Sequence, residues 1–143
     1  MKRLTRTSEQ YPSTLSRGTV HVLHPNDEEL YFLCDFLGMA GFRSSGSSRS
    51  ERALEFVARS RPDILVCPLE LPDIGGEEVC ARSRRASTHT QVLLTSDRIM
   101  DPLPERVRKF SGVEFLRGPF NAVGLLRAVE RLIGRDPEGE SGE

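Results

Sequence analysis

Short apolar runs alternate with longer amphipathic stretches through the middle of this chain. Thr19 to Leu23 reads as a strand. Asn26 or Asp27 can cap a following helix, because a short polar side chain there accepts from the orphan N–H groups of the first turn. Its apolar positions, Leu30, Leu33, Cys34 and Leu37, have the i, i+3, i+4, i+7 spacing of one helical face, and Gly41 stops it. Phe42 to Ser45 is a weaker strand. Ser50 begins a second helix with Leu54, Val57 and Ala58 on one side, ending before Pro62. Ile64 to Cys67 is apolar throughout, as suits a strand buried on both faces. Gly75 and Gly76 open a third helix through Val79 and Cys80, and Gln91 to Thr95 is a fourth strand. Leu103, Val107 and Phe110 suggest a short helix, and Val113 to Leu116 a fifth strand. Asn121 caps a last helix with Val123, Leu126, Val129 and Ile133 turned inward.

Strand followed by helix, repeated in this way, predicts a three-layer α/β domain over residues 18–134: a parallel sheet with right-handed crossovers covering both faces. In open sheets of this kind the site lies beyond the carboxyl ends of the strands. The residues placed there are His24 and Pro25, Pro68, Thr95 and Ser96, and Gly118 and Pro119.

Composition narrows the possibilities. Twenty Lys and Arg against twenty-one Asp and Glu leave a net charge of -1 over 143 residues, so no overall field draws the chain to nucleic acid or anionic membrane. No apolar run reaches the roughly eighteen residues of a membrane span. Residues 1–17 hold Lys2, Arg3, Arg6 and Arg17 against Glu9 and read as a disordered basic tail. Residues 135–143 hold Arg135 against four carboxylates and read as a disordered acidic tail. Cys34, Cys67 and Cys80 are too few and too scattered for a disulfide framework or a zinc site. A reducing cytoplasm is the expected setting. Only Lys2 and Lys109 are lysines, so chemistry that needs one has two places to look.

The segment Arg61 to Gly76, with its Leu71-Pro72-Asp73 turn and the Glu78-Val79-Cys80 that follows, resembles the central strand and loop of bacterial response regulator receiver domains. Val92 to Ser96 resembles their fourth strand with its switch threonine, and Phe115 to Phe120 their fifth strand and Lys-Pro-Phe turn. The resemblance implies a flavodoxin-like (βα)5 sheet in strand order 2-1-3-4-5 and a cis bond before Pro119. It also implies a chemical list. Two adjacent carboxylates hold Mg²⁺, an Asp accepts a phosphoryl group, and a hydroxyl and a Lys bind the phosphoryl oxygens. Matched residue by residue, the carboxylate pair falls on His24 and Pro25, the acceptor on Pro68, the hydroxyl on Thr95 and the Lys on Gly118. Only Thr95 keeps the family's chemistry. The expectation is therefore a degenerate receiver with no enzymatic activity and no bound Mg²⁺, in which Thr95 and Phe115 form a frozen switch pair.

Other residues have competing readings. Glu70, Asp73, Asn26 and Asp27 are near enough in sequence to stand in for the lost acceptor, and Glu70 is the best placed. His24 suits a hydrogen-bonded loop residue better than a metal ligand, His21 a place on a helix-covered face, and Cys67 a small core residue. The surviving function is expected on the surface of the fourth helix, fifth strand and fifth helix, where Arg106, Arg108, Lys109, Arg127 and Arg131 suit an acidic protein partner or a second copy. No DNA-binding module or stacking aromatics accompany them, so direct nucleic-acid contact is not expected. The alternatives are a receiver phosphorylated on a displaced carboxylate such as Glu70, and a small-ligand sensor that uses the emptied pocket.

Overall fold

The computed structural model describes residues 16–97, 105 and 112–134. The chain runs β1 (Thr19–Leu23), α1 (Asp27–Met39), β2 (Arg43–Ser47), α2 (Ser50–Ser60), β3 (Ile64–Pro68), α3 (Gly76–Ala86), β4 (Gln91–Thr95), β5 (Val113–Leu116) and α4 (Ala122–Leu132). The five strands are all parallel, in the order β2-β1-β3-β4-β5. The helix expected around Leu103, Val107 and Phe110 lies outside the described residues, as do residues 1–15 and 135–143 of the expected tails. No helix among the described residues is long and apolar enough to cross a membrane.

Alternation along each strand divides the core in two. Val20, Val22, Ile64, Val66 and Leu93 face α1 and α4, where they meet Leu30, Cys34, Leu37, Leu125, Val129 and Leu132. Leu23, Leu65, Cys67, Val92 and Leu94 face α2 and α3, where they meet Ala53, Val57, Val79 and Cys80. His21 lies on this second side, stacked on Phe56 of α2 with ring centroids 4.0 Å apart. Its two ring nitrogens bond to Ser45 Oγ at 2.7 Å and Ser47 Oγ at 2.8 Å.

Several expected faces are corrected. β2 begins one residue later than the sequence suggested and extends to Ser47. Its inward positions are small because α1 lies directly on them: the Ser44 hydroxyl donates to Cys34 O at 2.7 Å, and a Cβ on Gly46 would stand 2.6 Å from Leu30 Cδ1. In α2, Ala53 and Val57 are buried while Ala58 is exposed. In α4, the buried ridge is Leu125, Ala128, Val129 and Leu132, which leaves Val123 44% exposed. Arg17, read as part of the tail, is tied to the fold. Its N–H donates to Gly41 O at 2.8 Å, and its guanidinium reaches Glu130 at 3.1 Å and lies 4.7 Å from the centroid of the Phe42 ring.

Asp73 has a structural task that spacing did not reveal. The helix α2 receives no cap from its own preceding residue, Arg49. Instead Asp73, in the β3–α3 loop, accepts from Ser50 N at 2.9 Å, from Ser50 Oγ at 2.8 Å and from its neighbour Ile74 N at 2.8 Å. Desolvation pushes the Asp73 carboxyl up, but the bonds from Ser50 and Ile74 outweigh it and hold the group below its usual range. A cap borrowed across two loops pins α2 to the approach of α3. Asp73→Ala is expected to cost about 1 kcal/mol, as loss of an N-cap does, measured by urea unfolding; an unchanged midpoint would show that water caps α2 as well.

His21 couples the fold to acid. Burial lowers its pKa from 6.5 to about 3. The unfolded chain therefore binds a proton that the folded chain refuses, so stability is full above about pH 6.5 and falls as pH drops through that window toward 3. The expected slope is about 1.4 kcal/mol per pH unit. Unfolding between about pH 6.5 and 4.5, above the ordinary carboxylate range, should show that slope in the parent chain and a flatter one in His21→Gln. Parallel slopes would mean that the ring is hydrated in the fold.

Candidate functional site

Because both faces of the sheet are covered, open space falls at the strand ends. A pocket of about 580 Å³ lies at the carboxyl ends of β1, β3 and β4. The β1–α1 turn contributes His24 and Pro25, the first turn of α1 contributes Glu28 and Glu29, and the end of β3 and its following loop contribute Pro68 and Glu70. The end of β4 adds Thr95, Ser96 and Asp97, and the approach to α4 adds Phe120, Asn121 and Ala122. Val22, Val66, Phe32, Leu33 and Leu125 supply apolar walls. His24, Pro68 and Thr95 meet here because each stands an even number of residues after a strand position that faces α1 and α4.

Each singled-out residue has a definite place. Backbone N–H of Asn26 donates to His24 Nδ1 at 3.1 Å, which leaves the ring hydrogen on Nε2, 3.1 Å from Glu29 Oε1. Asn26 is the α1 cap and accepts from Glu29 N at 2.9 Å, while Asp27 is the first residue of the helix. Pro68 closes β3, where its missing N–H breaks no sheet bond; the ladder continues through Leu69 N to Thr95 O at 2.7 Å. The Thr95 side chain is buried against the pocket. Ser96 Oγ stands 3.5 Å from Glu70 Oε1. Asp73 belongs to the α2 cap described above and not to the pocket lining.

Gly118 does not line the pocket. The loop that carries it is pressed onto the end of β4, so that a Cβ there would collide with Ser96 O and stand 2.6 Å from Asp97 Cα. The peptide between Gly118 and Pro119 is cis. Register pairs Leu94 with Phe115 and Thr95 with Leu116. Thr95 and Phe115 therefore project from opposite faces, and half-buried Phe115 packs on the α2–α3 side of the core.

On the last helix, Arg131 reaches Glu114 at 3.6 Å and is about half exposed, and Arg127 is exposed as well. Arg106, Arg108 and Lys109 lie outside the described residues. His89 sits at the opposite end of the sheet, 2.7 Å from Asp63. The Cys67 thiol is buried, and burial first, then the charges of Cys80 and Asp73, push its pKa up, so it is not a thiolate nucleophile. Glu28, Glu29, Asp97, Phe32 and Phe120 were not singled out from the sequence. The signal for the first two was present: they stand in the first helical turn after a strand that ends at the site.

Mg²⁺ needs several oxygen ligands converging on one point. Among the described residues no three His, Cys, Asp or Glu side chains are grouped to hold a metal. His24, Pro25 and Pro68 offer it no carboxylate, so the donor set at the strand ends does not fit the ion.

The close approach at Gly118 makes a prediction. Gly118→Ala and Gly118→Lys should both be destabilising by about 1–3 kcal/mol, because backbone, not a flexible side chain, must move. Thermal or urea unfolding reads this; wild-type stability in either variant would show that the loop swings away freely.

No protein-family model matches the chain. Response regulator MprA of Mycobacterium leprae is 30% identical over 109 residues, which cover 75% of this chain and 47% of that protein. The chain spans about half the length of the curated relatives it matches first. Chemotaxis protein CheY4 of Vibrio cholerae has the same fold, with a TM-score of 0.71 at 18% identity, over 80% of this chain and 97% of that one. Response regulator TrrA of Thermotoga maritima, solved with Mg²⁺ and a beryllium fluoride, gives 0.69 at 19% identity over 80% and 97%. In sequence the chain is similar to response regulators of two-component systems, and its fold is that of their receiver domains.

Proposed function

We propose that this receiver domain signals by protein contact, without aspartyl phosphorylation. One observation carries the reading: the described pocket lining holds Pro68 at the end of β3, four carboxylates, and no lysine or arginine. Phosphoryl transfer to a receiver needs a nucleophile and fixed positive charge around a dianion. Pro68 has neither hydroxyl nor carboxylate, and Glu28, Glu29, Glu70 and Asp97 repel an anion instead of holding it. Gly118, matched to the family's lysine, has no side chain and is closed in by backbone. Thr95 then has no phosphoryl group to follow, and it points away from Phe115. A domain without that trigger presents one surface instead of alternating between two.

The output surface on this reading is the face that carries Arg127 and Arg131, both exposed. Its charge suits an acidic protein partner or a second copy of the chain. Nucleic acid and membrane are not the partners, and Mg²⁺ is not needed.

Intact mass after incubation with acetyl phosphate and Mg²⁺ tests the proposal. No phosphoryl adduct is expected. An adduct that disappears in Glu70→Gln would overturn the reading and make Glu70 a displaced acceptor.

A further inference from the structure

We propose that residues 1–15 dock along α1 of the same chain and cover an apolar stripe on its outer face. The proposal concerns α1 and stands apart from the face that carries Arg127 and Arg131.

The stripe comes first. Phe32 and Met39 are 58% and 79% exposed, and both lie on α1. Phe36 stands between them, its ring centroid 6.1 Å from that of Phe32. Positions 32, 36 and 39 follow the i, i+4, i+7 spacing of one helical face. The helix already buries Leu30, Cys34 and Leu37 against the sheet, so this is a second apolar face beyond the one the core uses. A single exposed apolar residue needs no explanation, but a contiguous stripe of two aromatics and a methionine marks a contact surface.

The path of the chain names the occupant. Arg17 fastens the incoming backbone to the carboxyl end of α1: its N–H donates to Gly41 O at 2.8 Å, and its guanidinium donates to the carbonyl of the capping residue Ala40 at 3.1 Å. Residues 1–15 therefore join the fold at the Met39 end of α1. The 13 residues of α1 are about 20 Å long. Fifteen residues reach up to about 50 Å, so the segment spans the helix with slack.

The order of chemistry along the two partners then matches. From its anchored end the segment presents Leu15 and Tyr11, and beyond them Arg6, Arg3 and Lys2, with Glu9 its one acid. From the same end α1 presents Met39 and Phe36, and at its far turn Asp27, Glu28 and Glu29. Run antiparallel, apolar residues meet apolar residues and bases meet acids. Glu29 keeps its contact with His24 Nε2, because the attraction comes from the summed field of the turn. A second copy laid α1 on α1 would set acid against acid, since the helix has no Lys or Arg, and like charges facing each other oppose that pairing. Tethering supplies an effective concentration of about 1 mM, so a contact of only millimolar strength keeps the segment docked about half of the time.

Paramagnetic broadening in the full chain is the test. Cys34, Cys67 and Cys80 are buried, so a thiol-reactive nitroxide attaches through Ser8→Cys. The backbone amides from Glu28 to Phe36 are expected to lose intensity at low ionic strength. They should recover much of it in about 1 M salt, where charges are screened within about 3 Å. Lys2→Glu, Arg3→Glu and Arg6→Glu together, and separately Phe32→Ser with Met39→Ser, should each weaken docking about tenfold and restore these signals. All five substitutions lie outside the core, and unmoved amide shifts in β1 and β3 confirm that the fold is intact. Broadening that persists unchanged in both variants would mean that the segment is merely tethered nearby and would overturn the proposal. Undiminished α1 signals in the parent chain would overturn it too, leaving the stripe to another protein. So would broadening of α1 in an isotope-labelled chain mixed with a separate spin-labelled one, which would make a second copy the occupant.

Discussion

Burial of both faces of the parallel sheet is the constraint on which the rest of the chain depends. A strand covered on two sides has no side chain to spare for solvent, so the interiors of β3 and β4 are apolar on each face in turn. Chemistry is driven to the strand ends. His21 is the exception that shows the rule: a ring inside the sheet is tolerated because two serines of β2 satisfy its nitrogens and Phe56 covers its face.

The two ends of the sheet then carry different work. At the amino ends, Asp63 accepts from Thr19 N at 2.9 Å and from His89 at 2.7 Å, and Gln91 donates to Leu132 O at 2.9 Å. These bonds tie strands to one another and to α4. At the carboxyl ends, His24 bonds within its own turn to Asn26, and Ser96 faces Glu70 across two connections. The strand ladder there is carried by backbone bonds such as Leu69 N to Thr95 O, so strand-end side chains can differ between chains that share this fold.

How much of this was legible in the sequence follows from the same physics. β4 and β5 were read with their observed bounds, β4 because the apolar Val92 to Leu94 at its centre is buried on both faces. β2 was displaced, because Arg43–Ser47 is short of apolar residues; its pairing depends on smallness against α1, which a hydrophobic pattern cannot register. On α4 the ladder through Val123 and the ladder through Leu125 both include Val129, and only packing against Leu93 and Ile64 chooses between them. The strand-end residues were legible as a set once the strand order was known. The task of Asp73 was not, since its partner Ser50 is 23 residues away and in a different connection.

Gly118 joins shape to charge. A lysine that reaches a phosphoryl group needs room for its Cβ, and here that room is filled by the backbone of Ser96 and Asp97. The absence of the side chain and the close seat of the loop are thus one change in two aspects: the glycine permits the approach, and the approach excludes anything larger. The approach also fixes the loop that leads through Phe120 to the cap of α4, and so fixes one wall of the pocket. One glycine thus sets how closely the β5–α4 loop seats on the end of β4, and with it the wall that Phe120 and Asn121 give the pocket.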